Sequence, residues 1–205
     1  MTVAIAPHPA ASLPLDDRLL YLRILASVAI ADGHTDRPEL AKLRRLAGVL
    51  ELPDESTLPI FSSLMADRLD AVVTSTQAAS FRGMRAVRSY LVMDAIVIAF
   101  SDARLLAGES RRIGELAVAL GVDPDEVYML AGFVEKILFK RDADHRVLAA
   151  ELGAAVGAPG AGEGLVQMVR KLAGELADER AVGALLGDAV QGAANGIVGA
   201  ASDAD

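Results

Sequence analysis

The sequence has no cysteine and no tryptophan, and it is poor in aromatic residues and in basic charge. The absence of cysteine excludes disulfides, thiolate metal sites and cysteine nucleophiles. A formal net charge of -8 argues against a nucleic-acid partner, because binding to phosphates requires a positively charged surface. The acidic balance is compatible with binding of cations or of a basic partner, although most acidic proteins use it only for solubility.

Targeting signals and long hydrophobic runs are also lacking. The first fourteen residues contain three prolines and no basic region, which is typical of a disordered leader and not of a signal peptide. No uncharged apolar run reaches the roughly eighteen residues that a membrane-spanning helix requires. Residues 181–200 come closest, but Asp188, Gln191 and Asn195 interrupt them. These features predict a cytoplasmic protein.

The hydrophobic content is high and is carried mainly by alanine, leucine and valine, which favours packed helices over sheets. Two runs, 19–31 and 90–100, are apolar on nearly every side, which is typical of buried helices. Periodicity, caps and prolines predict further helices over about 36–50, from Asp54 onward, and over about 108–120, 124–140 and 142–153. The predicted fold class is all-α, a compact bundle of about seven or eight helices.

Composition changes after residue 153, since 11 of the 18 glycines lie between Gly153 and Gly199. Glycine in a helix interior costs about 0.5–1 kcal/mol relative to alanine, so any helix there is weakened. A weakened amphipathic tail could dock on the core, on another copy of the chain or on a membrane surface. The predicted organisation is a disordered leader over 1–14, a helical domain over 15–153, a flexible linker over 154–164, a helical tail over 165–200 and a disordered end over 201–205.

The chain matches itself at a constant offset, which pairs Ala29 with Ala99 and indicates an internal duplication. In both copies a buried apolar helix ends at an aspartate, and a glutamate follows seven residues later in the first turn of an amphipathic helix. The offset preserves the register of the core positions as well as that of the acids. The acids of the two copies are Asp32 with Glu39 and Asp102 with Glu109.

These acids predict a cation site. An aspartate at the carboxyl end of a helix is disfavoured by the helix dipole, so it needs compensation by solvent, by a turn or by a cation. Two carboxylates brought close together repel each other unless a cation or a proton lies between them. Ligand sets made only of oxygen suit Ca²⁺ or Mg²⁺ better than zinc.

Helix capping is the alternative explanation for the first copy. Asp36 and Glu39 have the spacing of a capping box, and Asp32–Gly33 would then be an ordinary turn. In the second copy Leu106 occupies the position of Asp36 and cannot cap, although Glu109 is retained. Both explanations remain open from the sequence, and Asp36 is retained as a candidate ligand.

Asp94 lies inside the second apolar run, two helical turns before Asp102. A buried carboxylate needs a partner, so Asp94 is expected either to join the metal site or to pair with an arginine. The candidate metal ligands are therefore Asp32, Asp36, Glu39, Asp94, Asp102 and Glu109.

The residues around these acids resemble the two signature motifs of the tellurite-resistance TerB family. The motifs run from Ala29 through Asp32–Gly33 to Glu39 and from Ala99 through Asp102 to Glu109. The resemblance covers about residues 15–140. Two positions depart from the family pattern, because Thr35 replaces a hydrophobic residue and Ala103 replaces glycine.

The resemblance implies an all-helical module that binds a divalent metal and acts through protein partners in stress-response or defence assemblies, without catalysis of its own. Two alternatives follow from the residues: a helical scaffold whose acids only cap helices, and a membrane-associated adaptor that uses residues 165–200. Self-association into a homo-oligomer is also compatible with the tail. A carboxylate metallo-hydrolase is the weakest alternative, because no base or nucleophile can be named.

Overall fold

The computed structural model describes residues 7–31, 33–35, 37–65, 75–99, 107–139 and 145–155, together with Val166 and Val169. These residues form eight α-helices and two short 3-10 helices, with no strand among them, so the all-α fold class predicted from the sequence is confirmed. The α-helices are α1 (Leu15–Ala29), α2 (Arg37–Val49), α3 (Asp54–Met65), α4 (Ser75–Ala78), α5 (Arg85–Ala99), α6 (Ala107–Leu120), α7 (Pro124–Phe139) and α8 (His145–Ala155).

Helices α1 and α5 form the centre of the bundle and pack against each other. Both are apolar on most sides, and most of their residues are buried. Each of the two contacts both α2 and α6, while α3 packs on α1 and α7 packs on α5. The surrounding helices are amphipathic and turn their apolar faces inward, as expected for helices that cover a buried pair.

The first residues of the helices repeat at the same offset as the sequence. The first copy consists of a 3-10 helix (Pro9–Ser12) followed by α1, α2 and α3, and the second of a 3-10 helix (Ala79–Phe81) followed by α5, α6 and α7. Each element of the second copy begins at the residue that the offset pairs with the first residue of its counterpart, as Arg85 of α5 pairs with Leu15 of α1. The two copies therefore share one arrangement of helices.

The second α-helix of each copy, α2 or α6, ends in the same way. Glu51 and Gly121, which are paired by the offset, both have positive φ angles, of 52° and 65°. The next amides, of Leu52 and Val122, donate to the carbonyls of Ala47 and Ala117, at 3.0 and 2.9 Å. This backbone pattern is a Schellman motif, which satisfies the last carbonyls of a helix.

The structure differs from the predicted disordered leader from residue 7 onward, and residues 1–6 lie outside the described residues. Residues 7–14 are ordered against the bundle, the 3-10 helix at Pro9–Ser12 contacts α1 and α5, and Ala10 is buried. The prolines that interrupt an α-helix are compatible with a tight 3-10 turn, because a proline at its start needs no amide donor.

Two other boundaries also differ from the prediction. Helix α5 begins at Arg85 and not near Tyr90, and α8 continues through Ala155 into the predicted linker. Val166 and Val169, from the predicted tail, are helical and buried in the core cluster, so packing extends at least to this point of the chain. Among the described helices, none has the length and apolar character needed to cross a membrane.

Candidate functional site

Two of the predicted ligands, Glu39 and Glu109, occupy equivalent buried positions. Each is the third residue of its helix, α2 or α6, and each has a side chain that is almost completely buried. A carboxylate near a helix amino terminus gains from the helix dipole, but burial removes it from water and requires a polar or charged partner. Both glutamates have such interactions in the structure.

The predicted aspartates Asp32, Asp36 and Asp102 lie outside the described residues. Gly33, which directly follows Asp32, has a φ of 93°, a backbone conformation that favours glycine. The turn role assigned to this glycine from the sequence therefore fits the observed backbone.

Each buried glutamate is followed three residues later by a base that reaches the opposite copy. Lys42 is 2% exposed, and its Nζ donates to the carbonyl oxygen of Val97 in α5 at 2.9 Å. Its counterpart Arg112 donates to Ser27 Oγ in α1 at 3.4 Å and also binds Glu115. Val97 and Ser27 are themselves paired by the offset of the duplication, so the two contacts are reciprocal.

Asp94 lies at the centre of a separate polar cluster. It is completely buried in α5, and its Oδ2 accepts hydrogen bonds from the Tyr21 hydroxyl at 2.7 Å and from His8 Nε2 at 3.1 Å. Its Oδ1 has no hydrogen-bond partner. The sequence indicated that Asp94 needs a partner, and the structure supplies a histidine and a tyrosine.

The hydrogen bonds of His8 define its tautomer. The amide of Ala10 donates to Nδ1 at 3.1 Å, so in the neutral ring the proton lies on Nε2, which faces Asp94. The imidazole also makes edge-to-face contacts with the rings of Tyr21 and Tyr90, with centroid distances of 5.5 and 4.9 Å. His8 therefore fastens the N-terminal 3-10 helix to both central helices.

Burial raises the pKa of Tyr21 well above its usual value, and the carboxyl group of Asp94 beside it raises that pKa further. Burial and Asp94 raise the pKa of Tyr90 in the same direction. Both phenols are thus held in the protonated form, which allows Tyr21 to donate its hydrogen to Asp94. The cluster contains no nucleophile or base exposed to solvent, and its chemistry is that of a buried anchor.

His8 and Tyr21 were not identified from the sequence. His8 lies in a segment interpreted as a leader, and Tyr21 belongs to a run interpreted as apolar core. The signal that could have found them was the need of Asp94 for donors, since few side chains in the apolar segments can supply one.

The second copy has a small cleft where the first copy has this cluster. The offset of the duplication pairs His8 with Ala78 and Asp94 with Ile24, and both Ala78 and Ile24 line the cleft. Alanine lacks the ring that His8 contributes, and the space left has room for about one water molecule. The polar anchor is therefore a property of one copy only.

In the part of the chain that the structure describes, no three His, Cys, Asp or Glu residues come together in an arrangement that could hold a metal ion. Asp32, Asp36 and Asp102 lie outside that part of the chain. Comparisons with protein-family models, with curated proteins and with solved structures found no match to this chain.

Proposed function

We propose that this chain is a non-catalytic helical module that binds a divalent cation, Ca²⁺ or Mg²⁺, and acts through protein partners in a cytoplasmic stress-response or defence assembly. The observation that supports the proposal is the burial of Glu39 and Glu109 at equivalent positions of the duplicated helices. The resemblance of the two acidic motifs to those of the TerB family supports it independently of the burial.

Burial is informative because capping does not require it. A glutamate in the first turn of a helix can bind backbone amides while its side chain remains in water. Removing a carboxylate from water costs several kcal/mol unless a cation or several hydrogen bonds compensate. Both glutamates already make polar interactions in the structure, and a hard divalent ion, which prefers carboxylate oxygens as ligands, would add to them.

A helical scaffold is the second candidate, and a specific observation favours it. Lys42 and Arg112 follow the two glutamates by three residues, the spacing at which helical side chains become neighbours. Lys42 is itself buried. In a scaffold these bases would supply the positive charge that the acids need, and no metal would be required.

Calorimetric titration of the full-length protein with CaCl₂ and with MgCl₂ separates the two candidates. Metal binding predicts saturable heat in the micromolar to millimolar range. Glu39→Gln and Glu109→Gln should each weaken binding about tenfold or more, since each removes a charged oxygen ligand while keeping the side-chain shape. Glu55→Gln, at an exposed position of α3, is the matched control and should bind as the wild type does.

The scaffold predicts a different outcome of the same experiment. Wild-type protein that gives no saturable heat with either ion at millimolar concentration would rule out the metal-binding proposal.

The adaptor alternative is tested by co-sedimentation with liposomes that contain anionic lipid, using the full chain and a chain ending at residue 164. Sedimentation that depends on residues 165–205 would support membrane contact.

A further inference from the structure

Methionine is the only sulfur-containing residue of this chain, because it has six methionines and no cysteine. The chain also lacks tryptophan, so reaction with peroxide is concentrated on the thioethers. Among the described methionines, Met65 is the most exposed, at 69%, while Met84 and Met129 are 42% and 39% exposed and Met93 is completely buried. Exposure alone predicts that Met65 is oxidised first among these four.

The surroundings of Met65 give its oxidation a structural consequence. Met65 is the last residue of α3, and its sulfur lies 4.0 Å from Nη2 of Arg44 in α2. The Arg44 guanidinium also lies over the ring of Phe61, 5.6 Å from its centroid. Phe61 and Met65 are four residues apart and share one face of α3, so Arg44 bridges the two helices through both side chains.

We propose that Met65 is a peroxide-responsive modification site whose oxidation strengthens the contact between α2 and α3. The thioether sulfur attacks one oxygen of hydrogen peroxide, the O–O bond breaks and an S–O bond forms. The proton of the transferred oxygen passes to the leaving hydroxide, which departs as water. Sulfur loses two electrons and peroxide gains them, so the reaction is balanced without another reactant. The product, methionine sulfoxide, is reversible by methionine sulfoxide reductases.

The new oxygen improves the interaction with Arg44. A thioether sulfur is a weak acceptor, and 4.0 Å is a long contact. A sulfoxide oxygen placed on the side of Arg44 accepts a shorter hydrogen bond from a charged donor, which is stronger than a bond between neutral groups. Because Met65 is 69% exposed, the added polarity causes no loss of core packing of the kind that oxidation of buried methionines produces.

The site is tested first by mapping the reaction. The full-length protein is treated with increasing hydrogen peroxide, and the sulfoxide content of each tryptic peptide is measured by mass spectrometry. Met65 is expected to react faster than Met84 and Met129, with Met93 protected until the protein unfolds. Equal rates at Met65, Met84 and Met129 would overturn the proposal.

The consequence is tested by a double-mutant cycle on oxidised and reduced protein. Wild type, Met65→Leu, Arg44→Leu and the double variant are compared by their melting temperatures before and after the same peroxide treatment. The change in Tm on oxidation should be about 1–2 °C more positive in wild type than in Met65→Leu, the amount expected for one exposed charge-assisted hydrogen bond. This difference should vanish in the Arg44→Leu background. If the difference persists there, or if oxidation at Met65 lowers the Tm, Arg44 does not bind the sulfoxide and the proposal is wrong.

Discussion

At the scale of single residues, the carboxyl group of Asp94 is held in a completely buried site. Two side chains, of His8 and Tyr21, donate to one of its oxygens, and the other oxygen has no partner in the completely buried site. Buried polar networks with an incomplete set of partners lose more when a donor is removed than exposed ones do, because the remaining groups cannot turn to water. Removal of the Tyr21 hydroxyl alone should therefore lower the free energy of unfolding by a measurable amount.

Replacement of Tyr21 by phenylalanine is expected to destabilise the protein by about 1–3 kcal/mol, the cost of depriving a buried polar group of a hydrogen bond. The measurement is the free energy of unfolding from urea denaturation at pH 7. Tyr128→Phe, at a partly exposed position of α7, is the matched control and should change stability little. Equal effects of the two substitutions would contradict a special role for the bond to Asp94.

The same variant has a predictable pH dependence. The pKa of Tyr21 is raised in the folded protein, so above the unfolded value of 10.0 the unfolded chain releases a proton that the folded chain keeps. Stability from this group is complete below pH 10 and falls at higher pH, by up to about 1.4 kcal/mol per pH unit. Between pH 9.5 and 11 Tyr21→Phe should therefore lose stability less steeply than wild type.

The sequence predicted part of this site. The need of Asp94 for a partner follows from a carboxyl group inside an apolar helix, and it was met. The identity of the partner did not follow, because His8 is 86 residues away and local patterns carry no information about such a pairing. Glu39 and Glu109 were identified from their repeated spacing, and their burial is an additional property that spacing alone does not give.

At the scale of elements, the sequence predicted most helices because their apolar faces repeat with the helical period. Helix α7 begins at Pro124 as expected. The carboxylate of Asp123 accepts a hydrogen bond from the amide of Asp125 at 2.9 Å, as the side chain of an N-cap residue does. Helix α5 was predicted too short because Arg85 and Arg88 make its first turn polar, and a polar first turn leaves no apolar periodicity to detect.

The paired helix ends at Glu51 and Gly121 give a matched test. A non-glycine residue in the left-handed region loses about 1–2 kcal/mol of folding stability. Glycine avoids this strain but loses about 0.5–1 kcal/mol relative to alanine, because its more flexible unfolded chain gives up more entropy on folding. Glu51→Gly is therefore expected to stabilise the protein by about 0.5–1 kcal/mol. Gly121→Ala should destabilise it by about 1 kcal/mol or more, because its Cβ would also lie 2.8 Å from Nε of Arg82.

Gly48→Ala is the control for these two substitutions. Gly48 lies inside α2, where a Cβ would meet no atom within 4 Å, so alanine should stabilise the helix by about 0.5–1 kcal/mol. Thermal unfolding followed by circular dichroism measures all three variants. A loss of stability in Glu51→Gly would show that its side chain makes an interaction worth more than the backbone strain.

At the scale of the whole molecule, the two copies are interlocked and do not form separate domains. Tyr21 of the first copy donates to Asp94 of the second, Lys42 caps a carbonyl of α5, and Arg112 binds Ser27 of α1. The sequence predicted the duplication but not this exchange of contacts, since self-similarity does not specify how two copies pack. The central pair α1 and α5 takes one helix from each copy, so neither copy has a complete core of its own.

This arrangement predicts the behaviour of the separated copies. Residues 1–74 and 75–205, divided between α3 and α4, should each lack a cooperative thermal transition, because α1 and α5 would expose the faces that they bury against each other. Mixed in equal amounts, the fragments should regain the dispersed amide spectrum and the single transition of the intact chain, with a midpoint that rises with concentration. A cooperative transition in the first fragment alone would mean that a single copy is an independent folding unit. The contacts of Lys42 and Arg112 across the copies would then connect two independently folded domains, and the two copies would not share one core.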